Sequence, residues 1–377
     1  MKITVTKSEL QNKLKLVGRF IAPNKVNQQY DSFLFERRGG ILQVTAADEG
    51  GWIKTIIEHT SDTEEFLFSV NAKTFLDGIN QIPEQPLIIS LTDKNTYYDL
   101  LVEYAGGRFS MCAGIHRIFE TKEERKPGDI VTSISSINLL YGLRRTYFRA
   151  ASDDLRPVMN GVYLELAGAS FTFAASDGHT LAVMEYFGGG EQSEIRSGVI
   201  LAKKLCKVLI DALPSEDEPV EYFTSGTNIV FSHPLFTVSY RMVEGKYPNF
   251  RAVIPKNNSN IASVDRNSFI SLLKRVLVFS NKNTNLIKLS FQDGKLQGNA
   301  VDMDYSMSAS EEMPIEYSGN YMSIGFNGVF LLDLISNMQT SDHIKILLSD
   351  PTRAAIITED APTDAEQLTY IIMPMSI

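Results

Sequence analysis

The sequence predicts an α+β protein built from three copies of one domain, each with two helices on one face of β-sheet. Three observations carry that reading. An apolar helical stripe recurs at Leu10/Leu14/Val17, Leu139/Leu143/Thr146 and Phe269/Leu273/Val276, spaced by 129 and 130 residues. A short strand follows each stripe, at Phe33-Leu34-Phe35, Val162-Tyr163-Leu164 and Ile287-Lys288-Leu289, and then a turn ending at Asp48, Asp177 or Asp302. A second stripe closes each unit, at Phe75/Ile79, Leu205/Leu209 and Phe330/Leu334, entered from the strand residues Val70, Ile200 and Ile324.

In chain order each copy therefore reads strand, helix, several strands, helix, several strands. The stripes are helical because residues four and seven apart share one face of a 3.6-residue turn. Pro83 and Pro214 stop two of the second helices, since proline has no amide to donate and clashes with the turn before it. This period far exceeds a solenoid repeat, so each copy can hold its own core. The expected domains are residues 1–126, 127–255 and 256–377. Their boundaries fall in the polar, turn-forming stretches Glu123 to Gly128 and Pro255 to Asn260.

Composition suits three such domains. At 377 residues and 44% hydrophobic the chain can bury ordinary cores, and no segment is low-complexity. No apolar run approaches the roughly 18 residues a membrane span needs, and the first strand begins at the N-terminus, so a soluble cytoplasmic protein is expected. Cys112 and Cys206 lie in different copies and form no disulfide framework, which fits a reducing compartment.

The charge is −9 in total, which taken alone argues against a nucleic-acid partner. Its distribution argues the other way. The first helices carry Lys13, Lys15 and Arg19; Arg144, Arg145 and Arg149; and Arg266, Lys274, Arg275 and Lys282, with Glu9 as their only acid. The second helices add Lys73, Lys203, Lys204 and Lys207, diluted by Asp77, Asp211 and Asp333. Superposing the copies puts Lys15, Arg144 and Lys274 at one position and matches Arg145 with Arg275. Charge runs are ordinarily solvated faces. Surface charge has no reason to keep register through three copies, however. Acids collect instead in loops such as Asp62 to Glu65, Glu216 to Glu218 and Glu311-Glu312.

Catalytic motifs are absent. There is no Gly-x-x-x-x-Gly-Lys-Ser/Thr, no Gly-x-Gly-x-x-Gly after a strand and no Gly-x-Ser-x-Gly. Gly188-Gly189-Gly190 is followed by Glu191 and reads as a hairpin loop. His59, His116, His179, His233 and His343 are scattered, with no two at metal-ligand spacing. Asp302 and Asp304 could hold a metal, but the matching turns lack the second acid, so a structural turn is preferred. No cofactor, metal or catalytic residue is expected.

One turn stands out, Ser176-Asp177-Gly178-His179-Thr180-Leu181. It occurs with Lys246-Tyr247-Pro248-Asn249-Phe250, Ile324-Gly325-Phe326-Asn327 and the terminal Met373-Pro374-Met375-Ser376-Ile377. In these segments, and from Met1-Lys2-Ile3-Thr4-Val5 to the end, the chain resembles the β subunit of bacterial DNA polymerase III, the DNA sliding clamp. The resemblance implies a non-catalytic processivity factor: a head-to-tail homodimer of six domains closed into a ring, with sheets outside and helices lining the hole around double-stranded DNA. The basic stripe, Arg266 apart, then faces the phosphates, whose contacts are sequence-independent and individually weak enough to slide. Implied partners are the DNA polymerase III catalytic subunit, an ATP-dependent clamp loader and other proteins with a clamp-binding motif, in a nucleoid-associated cytoplasmic setting with no membrane partner.

Family partners dock a short peptide in an apolar crevice between the second and third domains. Carried over by position, it implies Met159, Ser176, Gly178, His179, Thr180, Leu181, Pro248, Val253, Asn327, Phe330, Ile371, Met373, Pro374 and Met375. Thr180, Ala252 and Ser376 stand where the family commonly has basic residues, which alters the polar preference at the rim. Phe109 and Met111 against Val278 and Phe279 are the implied dimer contacts. Two rival readings remain at the level of residues. An enzyme using His179 as general base predicts a neighbouring nucleophile or metal cluster. A monomeric DNA-binding regulator predicts a single recognition helix with sequence preference.

Overall fold

In the computed structural model, which describes residues 1–21, 28–60, 65–121, 125, 130–188, 197–338, 341–360 and 363–377, the order of elements repeats three times. The first copy runs β1 (Lys2–Thr6), α1 (Lys7–Gly18), β2 (Ser32–Arg38), β3 (Ile41–Ala47), β4 (Gly51–Ile57), β5 (Phe66–Asn71), α2 (Ala72–Asn80), β6 (Pro86–Asp93), β7 (Tyr98–Tyr104) and β8 (Gly107–Ala113). The second runs β9 (Thr132–Ser135), α3 (Ser136–Thr146), β10 (Gly161–Ala167), β11 (Ser170–Ser176), β12 (Thr180–Tyr186), β13 (Ser197–Ala202), α4 (Lys203–Ala212), β14 (Pro219–Ser225), β15 (Asn228–His233) and β16 (Phe236–Arg241). The third runs β17 (Asn260–Asp265), α5 (Arg266–Leu277), β18 (Leu286–Gln292), β19 (Lys295–Asp302), β20 (Met307–Pro314), the extra strand β21 (Glu316–Ser318), β22 (Met322–Asn327), α6 (Gly328–Ser336), β23 (His343–Leu348), β24 (Ala355–Glu359) and β25 (Glu366–Ile372).

Local chemistry explains the helix starts. The side chains of Thr6, Asn71, Asp265 and Asn327 accept backbone N–H groups in the first turns of α1, α2, α5 and α6. The first stripe is buried in every copy, from Leu10, Leu14 and Val17 to Phe269, Leu273 and Val276. Each such side chain contributes about 1.5–3 kcal/mol of burial. The second stripe differs in one place: α6 buries Leu331, Leu334 and Ile335, while Phe330 stays half exposed at its edge. The repeated aspartate has one role in all three copies. Oδ1 of Asp48 accepts from the amides of Gly50 and Gly51, that of Asp177 from His179 and Thr180, and that of Asp302 from Asp304 and Tyr305. An Asx turn of this kind closes the hairpin by satisfying amides that have no strand partner.

By contact the chain falls into two compact units, Met1–Ser136 with Asp211–Met242, and Ile137–Ile210 with Val243–Ile377. The first holds a four-stranded sheet, β1-β6-β7-β8, and an eight-stranded sheet, β5-β2-β3-β4-β16-β15-β14-β9. The second holds a nine-stranded sheet, β13-β10-β11-β12-β25-β24-β23-β17-β21, and a four-stranded sheet, β20-β19-β18-β22. Both large sheets join strands of successive copies. Gly51 of β4 lies opposite Tyr240 of β16, and Thr180 of β12 opposite Ile372 of β25, all antiparallel. The expected boundary at 126/127, most of the loop Asp62 to Glu65 and the Gly189 to Glu191 part of the glycine hairpin lie outside the described residues.

Candidate functional site

Within the second unit four separated segments enclose an apolar cavity of about 180 Å³. The β11–β12 turn contributes Ser176, Gly178, His179, Thr180 and Leu181; the stretch after β16 contributes Tyr247, Pro248, Asn249, Phe250 and Val253. Ile371 and Met373 come from the end of the chain, and Met159 from the turn before β10. Strand pairing brings the ends together: Leu181 lies opposite Ile371, and the Met373 amide donates to the His179 carbonyl at 3.0 Å. The floor is a buried cluster that includes Ala174, Leu181, Tyr247, Phe250 and Ile371. Tyr163 stacks on Tyr247 with centroids 5.0 Å apart, and burial pushes the Tyr247 phenol above its ordinary pKa, so it stays neutral.

The turn is rigid by its own bonds. The Ser176 hydroxyl donates to the Thr180 carbonyl at 2.7 Å and accepts from the Gly178 amide at 3.1 Å. Gly178 has φ of +90°, a left-handed conformation that side-chain-bearing residues adopt only with strain, so glycine suits this turn. Arg251 reaches Glu165 at 2.6 Å, Thr172 at 3.3 Å and Glu185 at 3.8 Å, anchoring the stretch that carries Phe250 and Val253.

Four of the crevice residues expected from sequence do not line this cavity. Asn327 caps α6, and the Phe330 ring lies near-parallel to His179 at 6.1 Å. The Met375 amide donates to the Gly325 carbonyl at 2.8 Å, tying the terminus to β22, and Pro374 is half buried beside it. Tyr247, Asn249 and Phe250 do line it; the Tyr-Pro-Asn-Phe segment was the available signal for them. Arg251 had none, because its acids are distant in sequence.

The basic residues divide three ways. Lys15, Arg144 and Lys274, the position shared by all copies, are exposed, as are Lys73 and Lys207. Others are engaged locally: Lys13 with Glu9 at 3.9 Å, Arg19 with Asp211 at 3.7 Å, and Arg275 with Glu311 through two bonds of 2.6–2.7 Å. Lys203 donates to Ala150 O and Ser152, and Lys282 to the last carbonyls of α5, while Lys204 is half exposed. Arg145 and Arg149 depart from the expectation of phosphate-facing cations. Both are buried, Arg145 against Met184, Glu366 and Tyr141, and Arg149 against Asp177, Thr180 and Asp333.

Phe109 and Met111 sit half buried on the edge strand β8, Phe109 against Phe75 at 6.4 Å. Val278 and Phe279, after α5, are 59% and 40% exposed. Among the described residues no group of His, Cys, Asp or Glu is placed to hold a metal ion, and no helix is long and apolar enough to cross a membrane.

Comparison with known proteins gives one consistent answer. Residues 134–249 match the family description "DNA polymerase III beta subunit, central domain", and 251–376 match its C-terminal domain. A "Beta sliding clamp" from Pseudomonas putida is 26% identical over 377 residues, and one from Pseudomonas aeruginosa 27% identical over 381, each covering 100% of both chains. The crystal structure of the DNA polymerase III subunit beta from Pseudomonas aeruginosa superposes with a TM-score of 0.90 at 25% identity over 100% of both chains. A sliding clamp from the same organism bound to griselimycin gives 0.92 at 26% identity, again over 100% of both.

Proposed function

The chain belongs to the DNA polymerase III β-subunit family, the bacterial sliding clamps, and we propose that two copies close head to tail into a six-domain ring around duplex DNA. As a family member it is a non-catalytic processivity factor for DNA polymerase III. The domains are 1–126, 127–255 and 256–377, with α1 to α6 on the inner face. Lys15, Arg144 and Lys274 meet the phosphates there. Retention comes from topology, so each contact can be weak and blind to sequence.

One observation carries the ring. The third strand after the first helix of copy one, β4, pairs with the last strand of copy two, β16, and β12 pairs in the same way with β25 of copy three. The third copy's equivalent, β20, and the first copy's last strand, β8, are left at sheet edges. Unpaired edges recruit another strand. Repeating the junction once more joins β20 of one chain to β8 of a second. Counting along the hairpins from the helix starts fixes its register: Met307 opposite Met111, Ser308 opposite Ser110 and Ala309 opposite Phe109.

The test is a cross-link. In a Cys112→Ser background, Ser110→Cys combined with Ser308→Cys is expected to give a covalent dimer on oxidation, with solution mass doubled and prolonged retention on nicked circular but not linear DNA. Shifting one partner to Ala309→Cys turns that side chain to the other face and should abolish the link. A parent protein that is monomeric at micromolar concentration, or equal cross-linking in both registers, would sink the ring.

The apolar cavity takes an extended peptide of the polymerase catalytic subunit or another clamp-binding protein, its Leu and Phe anchors against Leu181, Val253 and Met373 inside it and against Phe330 and Met375 beyond its lining. Such small interfaces bind at about micromolar affinity, near −8 kcal/mol. Opening falls to an ATP-driven loader, and the protein works in the cytoplasm at the nucleoid. Deleting Met373 to Ile377 is expected to abolish polymerase stimulation while leaving a dimer.

A further inference from the structure

Arg149 follows α3 on the short turn Tyr147–Arg149, is only 8% exposed, and takes part in neither the basic surface nor the cavity lining. All three of its guanidinium nitrogens are engaged. Nε donates to Phe148 O at 3.2 Å; Nη1 donates to Thr180 Oγ1 at 3.3 Å and lies 3.6 Å from Asp177 Oδ2; Nη2 donates to Asp333 Oδ2 at 3.3 Å. Its planar face covers Phe148 at 5.0 Å and Phe330 at 5.5 Å. Phe330 in turn lies against His179, which lines the cavity.

We propose that Arg149 is a positioning residue for the peptide crevice: it ties the Asp177 turn to α6 and so sets the spacing of His179 and Phe330 at the mouth. The turn does not need Arg149 to form, because Asp177 already accepts the His179 and Thr180 amides at 2.9 and 2.7 Å and the Thr180 hydroxyl. What the guanidinium adds is the link from that finished turn to Asp333, on a separate helix. Lysine replaces it only in part, since a point charge can sit over a ring but neither forks between two carboxylates nor lays a planar face on the ring. His179 and Phe330 then face an incoming aromatic anchor as a preset pair, and the peptide need not order them on binding.

The inference rests on the crevice being the peptide site, and the experiment separates the two. A labelled peptide carrying Gln followed by Leu and Phe is titrated against the parent and against Arg149→Met, Arg149→Lys, Asp333→Asn and Leu181→Ala, with dimer mass and circular dichroism as checks of the fold. Arg149→Met is expected to weaken binding by about tenfold, the scale of one charge-assisted bond, mainly through faster dissociation. Arg149→Lys is expected to restore it only partly. Asp333→Asn should cost a few-fold alone and nothing further in the Arg149→Met background. Peptide binding to folded Arg149→Met within twofold of the parent, alongside a loss in Leu181→Ala, overturns the positioning role alone. If Arg149→Met does not fold, unchanged binding to Asp333→Asn overturns it. Unchanged binding to Leu181→Ala overturns the crevice itself, and this inference with it.

Discussion

Arg145 on α3 and Arg275 on α5 occupy the same step of the repeat, yet one is buried and the other stands 60% exposed. Each even reaches the same strand step: Arg145 donates to the Met184 sulfur at 3.5 Å on β12, and Arg275 to Glu311 on β20, four residues into either strand. The difference lies in what is beside that strand. β12 is covered by β25, which brings Glu366 within 3.5 Å of Arg145 and Tyr370, whose hydroxyl donates to the Arg145 carbonyl at 3.0 Å. β20 is an edge, so Arg275 meets Glu311 and solvent. A cation's place in a repeat therefore does not determine its role; the neighbouring strand does.

Reversing the two charges separates the buried arginine from the exposed one. Arg145→Glu puts a third carboxylate beside Glu359 and Glu366 and removes the cation that faces them, and should cost about 3–5 kcal/mol of stability, read as a fall in the urea midpoint. Arg275→Glu is expected to leave the midpoint in place. Equal shifts would mean that the covering strand is irrelevant.

A second prediction turns on the unpaired edges. If β20 acquires β8 of another chain, Phe279 becomes buried, and Phe279→Ala should weaken the dimer by about 3 kcal/mol, roughly a hundredfold in dissociation constant, without unfolding either protomer. Sedimentation equilibrium across concentrations reads this. No change in mass would leave Phe279 as ordinary exposed surface.

The third concerns the cations that the strand junctions leave exposed. Arg144→Glu with Lys274→Glu should shorten retention on circular DNA and flatten the log–log salt dependence by about 3.6, at about 0.9 for each of the four phosphates that the two-chain ring no longer neutralises. An unaltered slope would show that recurrence in register was not selection for phosphate.

The smallest effect is at the start of α5. Asp265 accepts from Ser268, whose side-chain and backbone bonds hold its carboxyl below the ordinary 3.8. A carboxyl lowered in the folded state stabilises above its unfolded value, and that stability is lost as pH falls through the lowered value. Asp265→Ala is therefore expected to cost about 1 kcal/mol at neutral pH and progressively less below the unfolded value, so that the two acid-unfolding curves converge. A difference that persists at the acid end would assign the loss to packing.

Much of this was readable in the chain. Apolar spacing located the first helix of every copy, and the recurring aspartate marked a turn whose chemistry is complete within four residues. The same local rules failed where a side chain's surroundings come from elsewhere. Phe330 fits the helical stripe of α6 but sits at its margin, because the buried face is turned toward Leu331 and Leu334. Arg149 reads as one more surface cation, although its partners Thr180 and Asp333 lie 31 and 184 residues away.

Periodicity and turn chemistry act over a few residues, so the repeat, the order of strands and helices, the Asx turns and the shared cation at Lys15, Arg144 and Lys274 follow from the chain alone. Which strand edges are covered, which arginines are thereby buried, and how four distant segments enclose one cavity follow from the folded arrangement. Burial and ion pairing depend on distances through space, and these become defined only when β4 meets β16 and β12 meets β25.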